Sequence, residues 1–260
     1  MTSTRTRPLA VVTGASSGIG LELAKQFAGN GYDLLLTADE PLDAAVAEIG
    51  SGDALIETVQ ADLRDPQGVE QLAAAITGAG RPVDALALNA GIAHGGAFAE
   101  TPWEGGDRDV IAVDVLSTVH LAKRVVPSMV QRGAGRILFT SSIAATMPGP
   151  YYATYAASKS FVQSFAEALR YELKDKGVTV TALMPGPTDT EFFQRADMEG
   201  TRVDKSHKDD PAEVAKDGFE ALMAGKDHVV AGSLLNSVGA ATNKVLPDTT
   251  KAAMHAKLST

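Results

Sequence analysis

The 260-residue chain has no cysteine. Disulfide frameworks, thiolate ligands and thiol catalysis are therefore excluded, and a reducing compartment, the cytoplasm, is the expected location. A basic excess is missing as well: 23 Lys and Arg stand against 32 Asp and Glu, a formal net charge of −9. Such a surface repels phosphate backbones and anionic lipid, which argues against nucleic acid and membrane as partners. No apolar run is long enough to span a bilayer, and the one at Pro8–Val12 is too short for the core of a signal peptide. Internal repeats and low-complexity tracts are also lacking.

Hydrophobic residues make up 45% of the chain, enough for a sizeable core, and α/β folds of this length are often one unit. Short apolar runs recur at Leu9–Val12, Leu34–Leu36, Leu55–Val59, Val83–Leu88, Arg136–Thr140 and Val178–Leu183. Between them lie apolar residues at helix spacing, such as Phe161, Phe165 and Leu169. Strands alternating with helices imply right-handed βαβ units, hence a single-domain, Rossmann-type doubly wound parallel sheet. The stretch 188–210 breaks this rhythm. It is polar apart from Phe192, Phe193, Met198 and Val203, and is expected to be a mobile substrate lid. A helix should resume after Pro211, followed by a short strand near His228–Val230 and a tail rich in Ala and Lys.

Chemistry concentrates in three places. The turn Thr13-Gly-Ala-Ser-Ser-Gly-Ile-Gly20 follows the first strand and opens a helix. Gly14, Gly18 and Gly20 permit a sharp turn that presents backbone N–H groups to a pyrophosphate, with Ser16, Ser17 and Ile19 between them. Next, Tyr155 and Lys159 stand four residues apart in a helical stretch running to about Lys174, so they share a face. A phenol titrating near 10 shuttles protons poorly at neutral pH unless a neighbouring ammonium stabilises its anion. Third, Ser142 ends the strand before that helix, where open α/β sheets bind ligands.

Taken together, these residues resemble the short-chain dehydrogenase/reductase family over nearly the whole chain. The motifs run in family order: the glycine turn, Asp62-Leu63, Asn89-Ala90-Gly91, Ser142, Tyr155-x-x-x-Lys159, and Pro185-Gly186 leading to Thr188 and Thr190. The resemblance implies that Asp62 and Leu63 contact adenine, Asn89 stabilises the sheet beside the cofactor, Lys159 holds the nicotinamide ribose, and Thr188 and Thr190 fix the carboxamide. The implied reaction is reversible hydride transfer between a nicotinamide cofactor and a carbonyl or secondary alcohol. Ser142 would hold the substrate oxygen and Tyr155 would exchange its proton.

Asp39, with Glu40 at the end of the second strand, is expected to bind the adenosine ribose and to repel a 2′-phosphate. No basic residue stands there or at Ser17, so NAD is the expected cofactor, with NADP possible. Two departures from the family pattern stand out. Asp114 occupies the place of the family's catalytic-set Asn, which supports a water relay to the lysine; it is expected to be buried in the apolar stretch Val110–Leu121. The end of the chain runs Val229-Val-Ala-Gly-Ser-Leu-Leu-Asn236 in place of a strand closing in Asp-Gly-Gly, so a homodimer is at least as well supported as a homotetramer.

Ile143, Met147, Pro148, Tyr151, Tyr152, Met184, Phe192 and Phe193 are the candidate pocket wall, suited to a hydrophobic or aromatic carbonyl. Two competing readings are a dinucleotide-binding sensor or scaffold with weak catalysis, for which Asp114 is the only support, and a nucleotide-sugar epimerase or dehydratase. Enzymes of the latter kind carry a longer substrate domain than 260 residues supply.

Overall fold

The computed structural model describes residues 7–50, 52–196, 200–202, 204–205, 207–232 and 247–258. Seven parallel strands form one sheet in the order β3-β2-β1-β4-β5-β6-β7, the doubly wound arrangement that the sequence pattern implies. The strands are β1 (Leu9–Thr13), β2 (Asp33–Ala38), β3 (Ile56–Gln60), β4 (Val83–Leu88), β5 (Gly135–Thr140), β6 (Val178–Pro185) and β7 (His228–Ala231). The order reverses between β1 and β4, which opens a crevice beyond their carboxyl ends.

The central strands are apolar on both faces because helices cover both. Alternate residues of β1 enter different cores: Leu9 and Val11 pack with Leu121, Val162 and Phe139, while Ala10 and Val12 pack with Phe27, Val214 and Phe219. The first core lies under α3 (Pro66–Gly78), α5 (Thr118–Arg132) and α6 (Ala153–Leu173), the second under α1 (Gly18–Gly29) and α8 (Pro211–Met223). Helix α2 (Asp43–Ile49) lies beside α1.

Helix starts are distinguished by their caps. Helices α3 and α8 both begin with an Asp-Pro pair: Asp65 accepts from the Gln67 N–H, and Asp210 from the Ala212 N–H. Helix α1 begins at Ser17 with no side-chain cap, so its first-turn N–H groups point bare toward the crevice.

The apolar stretch Val110–Leu121 does not form one regular α-helix. Helix α4 (Arg108–Val110) passes into wide π-helical turns at Ile111–Ser117 before α5 begins. Such turns are frequent at functional sites. The segment 188–210 is also not wholly irregular. Thr188 bridges to Asp209, the short helix α7 (Phe192–Arg195) forms, and Phe193 and Ala196 are buried against Ala93 and Tyr152. Met198 and Val203 lie outside the described residues, as does Ser233–Asn236. The Ala- and Lys-rich tail contains a helix, α9 (Asp248–Leu258), that returns to the crevice. Among the described residues no helix is long and apolar enough to cross a membrane, and no side-chain cluster could hold a metal ion.

Candidate active site

One cleft of about 560 Å3 opens at the carboxyl ends of the strands. It is lined by every cofactor and catalytic position expected from the sequence except Asp114. The glycine turn forms its floor. Gly14 and Gly18 adopt φ of +64° and +55°, and a Cβ on Gly20 would lie 1.9 Å from the Gly14 carbonyl oxygen. Only glycines make this turn without strain, and it brings the bare N-terminus of α1 into the cleft. That combination fits the pyrophosphate of a dinucleotide.

Asn89 ties the strands together beside the turn. Its amide nitrogen donates to the Thr13 and Gly14 carbonyls at 3.1 and 3.3 Å, and its oxygen accepts from the Thr140 hydroxyl at 3.0 Å. One side chain thus links β1, β4 and β5. The Thr13 hydroxyl in turn accepts from the N–H groups of Asn89 and Ala90.

Helix α6 carries the tyrosine and lysine. Lys159 Nζ lies 5.6 Å from the centre of the Tyr155 ring, and Ser142 lines the same cleft as Tyr155. Ser142 also accepts from the Ala144 N–H at 3.1 Å, which caps a 3-10 turn at Ile143–Thr146 and fixes the serine at the end of β5. Burial pushes the Tyr155 phenol above its ordinary range; Lys159 and Ser142 pull it down, and Asp114 adds to the rise. For Lys159, burial works against the ammonium, but the charges of Asp114 and Tyr155 outweigh it and hold the group above its ordinary value.

Asp114 is buried, as expected, but stands behind Lys159 and does not reach the cleft. Pro148, Tyr151 and Met184 are likewise absent from the wall: Tyr151 turns outward with φ of +67° and is 40% exposed, and Met184 is buried in β6. The wall is formed instead by Ile143, Met147, Tyr152, Phe192 and Phe193, together with His94 and His255, which the sequence reading missed. No local motif marks His255; it comes from α9 and stacks edge-on against Tyr152 at 5.7 Å. Burial keeps its imidazole below the usual range, that is, neutral near pH 7.

At the other end, Asp39 and Glu40 line the cleft with two arginines also missed from sequence. Arg64 pairs with Asp39 at 3.2 Å and with Asp62 at 2.8 Å; Arg195, on α7, pairs with Glu40 at 3.1 Å. Neither stands beside the glycine turn or at the end of β2: Arg64 comes from the loop after β3 and Arg195 from the far side of the cleft.

Comparison with known proteins agrees with this geometry. Residues 8–199 match the family model for short chain dehydrogenases. Dehydrogenase/reductase SDR family member 7B of Rattus norvegicus is 33% identical over 251 residues, covering 91% of this chain and 77% of the relative. A short-chain dehydrogenase from Sphingobium yanoikuyae, solved in complex with NADPH, superposes with a TM-score of 0.80 at 30% identity, covering 86% of this chain and 87% of that one. The 3-ketoacyl-(acyl-carrier-protein) reductase of Brucella melitensis, complexed with NADH, superposes with a TM-score of 0.72 at 26% identity over 86% of this chain and 96% of that one. This chain belongs to the short-chain dehydrogenase/reductase family, and it is an NAD(P)-dependent oxidoreductase that transfers hydride between a nicotinamide and a carbonyl or alcohol carbon. The scaffold and nucleotide-sugar readings find no support in these relatives.

Proposed function

We propose that the protein interconverts a hydrophobic ketone or aldehyde and its alcohol, with NAD(H) as the preferred cofactor. The observation that carries this reading is the convergence of Ser142, Tyr155 and Lys159 on a cleft whose floor is the uncapped start of α1 and whose far wall is largely apolar. When bound, the nicotinamide supplies or accepts the hydride. In reduction the Tyr155 hydroxyl passes its proton to the substrate oxygen, and in oxidation the phenolate takes it back. Ser142 offers that oxygen a second hydrogen bond. Lys159 stabilises the phenolate and would hold the nicotinamide ribose; Thr188 and Thr190 would hold the carboxamide, and Asp62 and Leu63 the adenine.

Preference for NAD(H) is supported by the carboxylates of Asp39 and Glu40, and by the engagement of Arg64 and Arg195 with carboxylates. A 2′-phosphate would have to break one of those pairs to gain an arginine. The segment 188–210 serves as the substrate lid, with Phe192 beside Tyr155 at a ring-centre distance of 5.4 Å. The reading extends to a homodimer or homotetramer in the cytoplasm: the exposed Leu116, Phe161 and Tyr171 support the oligomer, and the lack of cysteine suits a reducing compartment.

The test is a panel of aromatic and long-chain ketones and secondary alcohols assayed with each cofactor. Turnover with a higher kcat/KM for NAD(H) than for NADP(H) is expected. Higher kcat/KM for NADPH would overturn the cofactor assignment, and turnover confined to small hydroxy acids would overturn the substrate class.

A further inference from the structure

Asp114 is more than a tolerated replacement. Its Oδ1 accepts the Ile92 N–H at 2.9 Å, and its Oδ2 accepts the Ser158 hydroxyl at 2.7 Å and lies 3.3 Å from Lys159 Nζ. Side-chain exposure is 0% for Asp114 and 5% for Lys159. The Ile92 N–H demands an acceptor at one position and the ammonium demands an acceptor at the other. A carboxylate meets both demands, whereas an amide would turn its NH2 group toward the ammonium. The backbone is shaped to the pair as well: a Cβ on Gly91 would lie 2.6 Å from Lys159 Nζ and 3.2 Å from Asp114 Oδ1.

We propose, building on the hydride-transfer reading above, that the buried Asp114–Lys159 ion pair sets the working pH window of this enzyme: carbonyl reduction runs through the neutral range and beyond, while alcohol oxidation opens only in alkaline solution. A lone ammonium beside Tyr155 acts as a full positive charge. Paired with Asp114 in the same dry pocket it acts as a dipole, whose pull on a phenolate is much weaker. Burial and the Asp114 carboxylate both favour the phenol, against Lys159 and Ser142. The other titratable side chains lining this end of the cleft include His94 on the loop after β4, the Tyr152 phenol at the start of α6 and the neutral His255 on α9; α7 presents Phe192. Reduction needs the phenol, because its proton goes to the substrate oxygen as hydride reaches the carbon; oxidation needs the phenolate to receive the alcohol proton. The overall equilibrium is untouched. What moves is the pH at which each direction finds Tyr155 in the form it needs.

The phenol can be titrated without turnover, by ultraviolet difference spectra of the wild type against Tyr155→Phe, and of Asp114→Asn against the double variant. Activity–pH profiles in both directions accompany the titration. In the wild type, tyrosinate and oxidation should both set in only in alkaline solution, no earlier than for an ordinary phenol. In Asp114→Asn both should move down by about one pH unit, and the alkaline fall of reduction should move with them. Asp114→Ala, which also removes the charge, stands in if the amide impairs folding. Wild-type tyrosinate forming in the neutral range sinks the proposal outright, as does an unmoved or upward shift in a folded variant. Absence of NAD(H)-dependent turnover on any substrate, with tyrosinate titrating as stated, would count instead against the hydride-transfer reading.

Discussion

The carboxylate of Glu40, just beyond β2, lies 3.1 Å from the guanidinium of Arg195 on α7, so an ion pair joins the two sides of the adenosine end of the cleft. Both side chains are about half exposed, at 50% and 46%, and Arg195 also pairs with Glu191. A pair of this exposure contributes less than about 1 kcal/mol to folding. Arg195→Ala should therefore leave thermal stability nearly unchanged yet speed release of bound NADH, weakening its Kd by less than about tenfold. Stopped-flow fluorescence measures this; an unchanged release rate would deny the clasp any role.

Tyr155→Phe removes one hydroxyl from a buried ring and leaves the cleft otherwise intact. Turnover should fall by roughly 10²–10⁴-fold, as for loss of a general acid–base, with NADH affinity close to wild type. Retention of wild-type turnover on the best substrate would refute the assigned role.

Asp33 presents the clearest link between pH and stability. Its buried carboxylate accepts from Arg81 at 2.6 Å and from the Leu55 N–H at 2.9 Å, with Arg7 at 3.4 Å. Burial alone would raise its pKa, but these partners outweigh burial and hold it below the ordinary 3.8. A depressed folded-state value means that the stabilisation is complete above 3.8 and is lost as pH falls through the lower, folded value. Asp33→Ala takes the carboxylate from two partly exposed guanidinium groups and leaves the Leu55 N–H without its acceptor, and should cost about 1–3 kcal/mol near neutral pH, read by urea unfolding. The difference from wild type should narrow in strong acid.

His255→Leu should change KM and the ranking of substrates while leaving NADH affinity alone, because the ring meets Tyr152 and Gly149 far from the adenosine end. Titration calorimetry with NADH and steady-state kinetics on two ketones of different bulk separate these effects. A parallel loss of NADH binding would show that α9 supports the whole cleft.

The parallel sheet, the glycine turn and the tyrosine–lysine pair were legible because each follows from local pattern: buried strands read as apolar runs, tight turns demand glycine, and a spacing of four shares a helix face. Arg64, Arg195, His94 and His255 were not, since their presence at the cleft depends on how distant segments pack. Asp114 lies between these cases. Its burial follows from apolar neighbours, but its retreat behind Lys159 depends on the π-helical turns at Ile111–Ser117, which no spacing rule announces.

Helix α9 carries a consequence for how such a protein can diversify. The glycine turn and the acidic residues of the adenosine end come from β1, β2, β3 and the loops after them, within the first 64 residues, whereas part of the opposite wall comes from a helix that begins at Asp248. Drift in that late segment can reshape what the cleft admits while the machinery that grips the dinucleotide stays as it was, so new substrate ranges are reachable by changes that leave the chemistry undisturbed.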